Sequence, residues 1–291
     1  PTNTAYGNNP VLTERFDKID PVNIDDFIKE GGFAGFLHAL TLSRDDLIEI
    51  VKLSGLLGRG GAAFPTGLKE EGAIQAENTE AYVVCNADES EPGTFKDRAM
   101  LSKDPYSVLE GMLISAYIIG AQKGYIYIRG EYQDAQSIFA QVIEKALESG
   151  FLGNNIQNSN FSFDLEIRSG AGAYICGEET ALFESIEGKR GYPRNKPPYP
   201  VVSGLFGKPT NINNVETFSY LARIMSDKKK TKQKKSVAKW LLVGIVVIGV
   251  FMGFNYFKSQ KLRRQNFEAM EEQRQVLIEG WEEQGFTEAE I

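Results

Sequence analysis

The sequence predicts an α/β fold with a parallel-type sheet, followed by a single transmembrane helix and a charged helical tail. Three observations carry this expectation. Short apolar runs at 81–85 and 124–129 alternate with stretches of helical periodicity, the order that builds βαβ units. The 291 residues, 42% hydrophobic and 24% charged, suffice to bury a full core. Beyond residue 225 the composition changes abruptly, to a lysine-rich run and then an apolar segment.

Residues 1–20 read as an irregular arm, and Pro21 opens a helical pattern through Ile24, Phe27 and Ile28 that Gly31-Gly32 stops. Residues 1–32 are thus an arm and helix ahead of a main domain at 33–225. Residues 33–40 form a helix-like apolar run that holds the chain's one histidine, His38, read as packing or capping. Ser43 with Asp45 and Asp46 marks the next helix start, running to about Ser54 with Leu47, Ile50 and Val51 on one face. A glycine-rich loop occupies 58–67. The run 81–85 reads as a buried strand opening into the loop Asn86-Ala87-Asp88-Glu89. A helix at 105–121, a strand at 124–129, a helix near 132–149 and a strand near 161–168 follow.

Charge and composition exclude several classes. A formal net charge of −7 argues against nucleic-acid binding. Two cysteines, Cys85 and Cys176, are too few for a disulfide framework or for the four thiolates of a usual iron–sulfur cluster. One histidine makes a self-contained zinc site or a histidine triad an unpromising reading. The first residues carry neither a basic nor an apolar leader pattern, so a reducing compartment is expected for the large domain.

Lysines 228, 229, 230, 232, 234 and 235 mark 226–239 as a basic linker. Residues 240–257 are apolar except Asn255, long enough for the roughly 17–25 residues that cross a bilayer. Trp240 and Tyr256 sit at its ends, and Lys258, Lys261, Arg263 and Arg264 close it. The denser basic flank precedes the span, which predicts a single-pass membrane protein with its large domain on the cytoplasmic or matrix side. The tail 258–291 is charged and helical in pattern, with Phe267, Met270, Val276, Leu277 and Trp281 as a partner-binding face.

Four motifs carry candidate chemistry. In Gly58-Arg59-Gly60-Gly61-Ala62-Ala63-Phe64-Pro65-Thr66-Gly67-Leu68-Lys69, bare glycine backbone can approach a phosphate or flavin, and the lysine can supply charge. A tight structural turn explains that loop equally well. The run from Cys85 through Asn86, Asp88, Glu89 and Glu91 to Arg98 places three acids beside a buried strand. Such acids are costly to bury unless they hydrogen-bond something polar, although a solvated loop is the alternative. Glycines 170, 172 and 177 lead into a helix that starts with Glu178 and Glu179. Finally, Lys196-Pro197-Pro198-Tyr199-Pro200 and the Asn-rich stretch 207–217 read as loops that shape a ligand site or merely cover the surface.

In this order and spacing the four motifs resemble the flavoprotein (51 kDa-type) subunit of respiratory complex I and related diaphorase subunits, from about Asp20 to Leu221. The resemblance implies binding of FMN and NADH. It places Gly58, Arg59, Gly60, Gly61 and Lys69 along FMN, with Asn86, Asp88, Asn213 and Asn214 as further FMN contacts. Glu89 and Glu91 would line the flavin and nicotinamide pocket, and Tyr174, Gly177, Glu178 and Glu179 the segment above it. Glu91, Glu178 and Tyr174 are the expected catalytic residues, and Phe64, Lys196 and Tyr199 surround the dinucleotide. The implied reaction is hydride transfer from NADH to FMN, with electrons passed onward to other subunits of a membrane oxidoreductase complex. The alternative is a non-catalytic, membrane-anchored paralogue serving as a scaffold or assembly subunit.

Departures from the family favour that alternative. Ala63 replaces a glycine, and Glu70-Glu71-Gly72 replace an aromatic adenine platform. The lost stacking is worth about 0.5–1.5 kcal/mol. The acidic pair is expected to repel the dinucleotide. The family's ubiquitin-like and cluster-binding domains are expected to be missing, with the membrane anchor in their place.

Overall fold

A computed structural model describes residues 10–75 and 80–227. The predicted linker from 228 onward, the transmembrane segment 240–257 and the tail 258–291 lie outside the described residues. Among the described residues no helix is long and apolar enough to cross a membrane.

The chain opens with three helices, α1 (Ile24–Lys29), α2 (Ala34–Ala39) and α3 (Arg44–Ser54). Asn23 caps α1 through Asp25 and Asp26 amides, and Ser43 caps α3 by accepting from the Asp46 amide at 3.2 Å. The α2 start is unusual because its N-cap, Phe33, has φ +58 and no capping side chain of its own. The buried Glu110 carboxylate takes over, accepting the amides of Phe33 at 3.1 Å and Phe36 at 3.0 Å. Burial pushes the Glu110 carboxyl up to about 7 despite those amides. His38, in the last turn of α2, donates from Nδ1 to the Met225 carbonyl at 3.1 Å, so it packs and bonds as expected.

After the glycine-rich loop comes α4 (Thr66–Gln75), then β1 (Tyr82–Ala87), α5 (Lys96–Lys103), α6 (Pro105–Ile119) and β2 (Lys123–Ile128). Helix α7 (Gln133–Glu148) and β3 (Asp164–Ser169) complete the second crossover. Helix α8 (Glu179–Ile186), the short α9 (Pro200–Ser203), β4 (Thr210–Asn214) and α10 (Val215–Ser226) end the described fold. The four strands are all parallel, in the order β3-β2-β1-β4. Val84 pairs with Tyr125 on one side and Ile212 on the other.

Side chains of β1 and β2 alternate between two cores, as pleating requires. Val83, Cys85, Ala87, Ile126 and Ile128 face the larger core, which also takes residues from α1, α2, α3, α6, α7 and α10. Tyr82, Val84, Tyr125, Tyr127 and Ile212 face a smaller one closed by Leu182, Phe183 and Ile186 of α8. Helix α6 is buried nearly all round, between the sheet and α10. Its Gly111 is obligatory there, because a Cβ would overlap the Phe218 carbonyl of α10. Phe16, Ile19, Ile24 and Phe27 belong to the larger core, so packing draws no border at 32/33.

The structure corrects three local expectations. The Asn-rich stretch expected as a loop contains β4, whose Asn211 and Asn213 are buried. Hydrogen bonds among Ser115, Asn211 and Asn213 replace the apolar packing that would have announced a strand. Residues 96–103, where no element was expected, form α5, and the Glu89 carboxylate accepts its Asp97 amide at 2.9 Å. The glycine-rich loop gives way to helix α4 at Thr66.

Candidate functional site

Strands β1 and β4 lie side by side, but the chain leaves β1 toward β2 and returns to β4 from the opposite edge. Such a reversal opens a crevice at the carboxyl ends of the strands, where open α/β sheets bind ligands. A cleft with two adjoining lobes, of about 310 and 450 Å³, lies at that place. Gly60, Asn86, Gly177, Glu178 and Asn214 line both lobes. Gly58, Phe64, Lys69, Glu179, Lys196 and Asn213 belong to the smaller lobe. Arg59, Gly61, Asp88, Glu89, Glu91 and Tyr174 belong to the larger. Four distant motifs thus converge on one cleft. Tyr199 is the exception: it is exposed before α9 and is not among the residues lining either lobe.

Each wall is held by local bonds. Asn86, at the end of β1, donates from Nδ2 to the Gly177 carbonyl at 2.9 Å and accepts the Asp88 amide on Oδ1 at 3.1 Å. Arg59 is fixed through its backbone, whose amide donates to Thr217 Oγ1 at 2.9 Å. Asn214 closes β4 and caps α10, accepting the Glu216 amide on Oδ1 at 3.0 Å. Its Nδ2 donates to Asp97 Oδ2 at 2.6 Å.

Three features of the cleft suit an anionic, hydroxyl-bearing ligand. Lys69 is half-buried in the wall and donates to the Ile212 carbonyl at 2.8 Å, with Glu179 of the same lobe acting on it from beyond ion-pair distance. Burial lowers its pKa from the ordinary lysine value. Asp88 Oδ1 is buried without a partner, while Oδ2 accepts from Ser90 Oγ at 3.1 Å. Gly61, at φ +111, exposes bare backbone in a conformation that L side chains resist. An anion would neutralise Lys69, and a ligand hydroxyl would satisfy Asp88. The residues therefore fit a nucleotide-type cofactor.

The expected catalytic residues divide by environment. Glu178 is the α8 N-cap; its Oε2 accepts the Thr180 and Ala181 amides at 2.8 and 2.9 Å, and Oε1 meets Lys196 Nζ at 3.0 Å. Burial pushes its carboxyl up, but these bonds win and hold it below the ordinary value. Glu178 is thus an ionised anchor for Lys196, and a poor proton donor. Lys196 also bonds Glu179 at 2.6 Å. Tyr174, largely exposed, donates to Glu91 Oε2 at 2.6 Å across the outer lobe. Glu89 is buried and already accepts the Asp97 and Arg98 amides and the Tyr132 hydroxyl.

Sequence reading missed Lys96 and Asp97 as wall residues. Lys96 donates to Asn214 Oδ1 at 2.9 Å and pairs with Asp97 at 2.7 Å and Glu216 at 3.1 Å. Their signal was present in the second motif, which ends Lys96-Asp97-Arg98, but only the strand pairing of β4 brings Asn214 beside them. Cys85 and Cys176 are both buried, as expected for packing residues, and burial pushes the Cys85 thiol up.

The acidic pair does not behave as expected. Glu70 is completely buried on the inner side of α4, and Glu71 pairs with Lys52 at 2.7 Å. Neither lines the cleft, so the anticipated repulsion of a dinucleotide has no geometric basis. Ala63 does line it, at φ +51, where a glycine would be unstrained.

A parallel sheet whose switch-point cleft offers an unneutralised lysine and bare glycine backbone defines a nucleotide-cofactor-binding α/β protein. Comparison with known proteins narrows the class. Residues 51–223 match the Nuo51 FMN-binding domain, and the chain belongs to that family. It is 52% identical over 216 residues to the F subunit of the NADH-quinone oxidoreductase of Aquifex aeolicus, covering 74% of this chain and 50% of that protein. It is 49% identical over 224 residues to the NADP-reducing hydrogenase subunit HndC of Solidesulfovibrio fructosivorans, covering 77% of this chain and 46% of that protein. The chain thus spans about half the length of these curated relatives. Among solved structures it is similar to an NAD+-reducing NiFe-hydrogenase in the H2-reduced state, with a TM-score of 0.61 and 43% identity. That match covers 67% of this chain and 33% of the other.

Proposed function

We propose that the chain binds FMN and oxidises NADH, passing electrons to a partner subunit of a membrane oxidoreductase complex. The observation that carries this reading is Lys69, a half-buried ammonium in the cleft wall that bonds a carbonyl and makes no ion pair among the described residues. An enzyme that left this charge without an anion would pay its desolvation for nothing. FMN, when bound, supplies the ring that accepts a hydride from a nicotinamide.

The chain's own residues bind and orient. With FMN bound, Lys69 would neutralise the phosphate, the glycines 58, 60 and 61 would give backbone access, and Asp88 Oδ1 would accept from a ribityl hydroxyl. Asn86 and Asn214 keep the ends of β1 and β4 in register with the loops above them. Glu178 keeps Lys196 at the mouth of the cleft, and Tyr174 with Glu91 borders the outer lobe, where a dinucleotide enters. The burial of Glu70 and the pairing of Glu71 take away the expected repulsion, one support of the scaffold reading, and leave the missing aromatic platform as another.

The hydropathy of 240–257 and its basic flanks support a single-pass anchor with the large domain on the cytoplasmic or matrix side. Both parts of the proposal can be tested on the full chain. Purified protein is offered FMN and titrated anaerobically with NADH while the flavin absorbance is followed. Stoichiometric flavin that bleaches is the expected result. Flavin that responds to dithionite alone would refute NADH oxidation. Extraction from membranes by carbonate, without detergent, would refute the anchor.

A further inference from the structure

Helix α4 carries, next to Lys69, a second ionisable side chain that takes no part in the cleft wall. Glu70 has no solvent-exposed surface. Its Oε2 accepts from Ser115 Oγ of α6 at 3.2 Å, and its Oε1 is buried without a partner. Ser115 Oγ accepts from Asn211 Nδ2 at 2.8 Å, and Asn211 Oδ1 accepts from Asn213 Nδ2 at 3.3 Å. Asn213 lines the cleft. An unbroken file of polar side chains therefore joins the cleft wall to a carboxyl group deep in the fold. An apolar residue of similar volume would be a cheaper occupant of such a place. The unpartnered Oε1 is free to carry a proton without displacing any existing bond.

We propose that Glu70 is a redox-linked proton-holding residue, which takes up a proton when electrons enter the cleft and releases it when they leave. This rests on the flavin reading given above. Glu70 touches neither cofactor nor substrate; it acts through Ser115, Asn211 and Asn213, and is a positioning residue. The balance is simple. NADH delivers two electrons with one proton as a hydride, leaving added negative charge in the cleft. A solvent proton binding at Oε1 offsets that charge; when the two electrons pass to the acceptor, this proton and the one brought in by the hydride both return to solvent. In a medium less polar than water, one more negative charge nearby shifts a carboxyl group by about tenfold in proton affinity.

The surroundings leave Glu70 responsive. Lys69 on its own helix is the charged group that acts on it, and it lies in the cleft wall. Glu71, also on α4, is paired with Lys52 of α3, which meets Glu49 as well. On α6, Glu110 is bonded to the Phe33 and Phe36 amides, Tyr106 donates to the Val22 carbonyl, and Tyr117 packs on Phe161. Strand β4 and α9, the other elements against α4, carry no ionisable side chain. Burial pushes the Glu70 carboxyl up to about 8, against the pull of Ser115, Asn211 and Lys69, so it titrates in a range where both states are populated.

The test is a spectroelectrochemical titration of the FMN-loaded full chain at a series of pH values around 8, for the wild type, E70Q and S115A. The wild-type midpoint should fall more steeply with pH than that of E70Q, by up to about 30 mV per pH unit for one proton per two electrons. Reduced-minus-oxidised infrared spectra should show a protonated carboxyl band that E70Q lacks. S115A, which keeps Glu70 but cuts the file, should lose part of the extra slope, and it supplies the comparison if E70Q fails to fold. Parallel slopes in flavin-loaded wild type and variants, or no carboxyl band, would overturn the proposal while leaving flavin binding intact. A full chain that binds no FMN would overturn both readings.

Discussion

Replacing Lys69 by methionine separates ligand binding from stability, because the two should move in opposite directions. The ammonium is half-buried, its pKa is lowered by desolvation, and its bond to the Ile212 carbonyl replaces only part of its lost hydration. A base whose folded pKa lies below its unfolded one binds fewer protons when folded. The stability it contributes is therefore present above the ordinary value of 10.5 and is lost as pH falls through the folded value. Below the folded value the ligand-free wild type carries the full penalty. Methionine fills a similar volume, removes the charge and forfeits one carbonyl bond, for a net gain on the order of 1 kcal/mol. In a domain of this size that is a rise of roughly 2–4 °C in Tm. The same change removes a charge-assisted bond to phosphate, worth about 1.5–3 kcal/mol, so FMN affinity should fall roughly 10- to 150-fold. Differential scanning fluorimetry without flavin and fluorescence-quenching titration with FMN measure the two effects. A variant that keeps wild-type FMN affinity would refute the assignment of Lys69 to the phosphate, and one that loses stability as well as affinity would refute the account of its burial.

Ala63→Gly should stabilise the ligand-free chain by about 1 kcal/mol in denaturant unfolding, by relieving a left-handed residue at φ +51; an unchanged or lower midpoint would contradict it. Glu70→Gln should change the pH profile of stability. The wild-type carboxyl rises from 4.5 to about 8 on folding, so the stability it contributes is full below 4.5 and is lost as pH rises through 8. The gap in favour of E70Q should open above pH 4.5 at no more than about 1.4 kcal/mol per unit and level off beyond pH 8, and a gap independent of pH would count against a buried, protonated Glu70. Gly111→Ala should destabilise strongly, by about 3 kcal/mol or more, because α6 and α10 must part to admit a methyl group; near-wild-type unfolding would show that the contact yields.

The parts of this fold legible in sequence are those where burial is apolar. Val83, Val84 and Cys85 in β1, and Tyr125 to Ile128 in β2, declare their strands because both faces meet hydrophobic cores. Strand β4 was hidden because Asn211 and Asn213 bury amides instead, and the bonds that make this tolerable come from Ser115, almost a hundred residues away. The same reasoning explains α2, whose first turn is capped by Glu110 on another helix. At the site, the residues to which the family resemblance pointed all line the cleft except Tyr199. Spacing could not reveal which way α4 turns its acids, since helical phase against α6 is a packing outcome. Lys96 and Asp97, although inside the second motif, could not be tied to the cleft until β4 placed Asn214 beside them.

Asn214 has one more consequence. Its Oδ1 already serves the Glu216 amide and the Lys96 ammonium, and the residue also forms the cleft wall. A ligand that bonds this side chain competes for lone pairs that hold the first turn of α10. Occupancy of the cleft is thereby written into the amide-exchange rates of residues 215–217, and exchange mass spectrometry could read whether the cofactor is present without observing the cofactor at all.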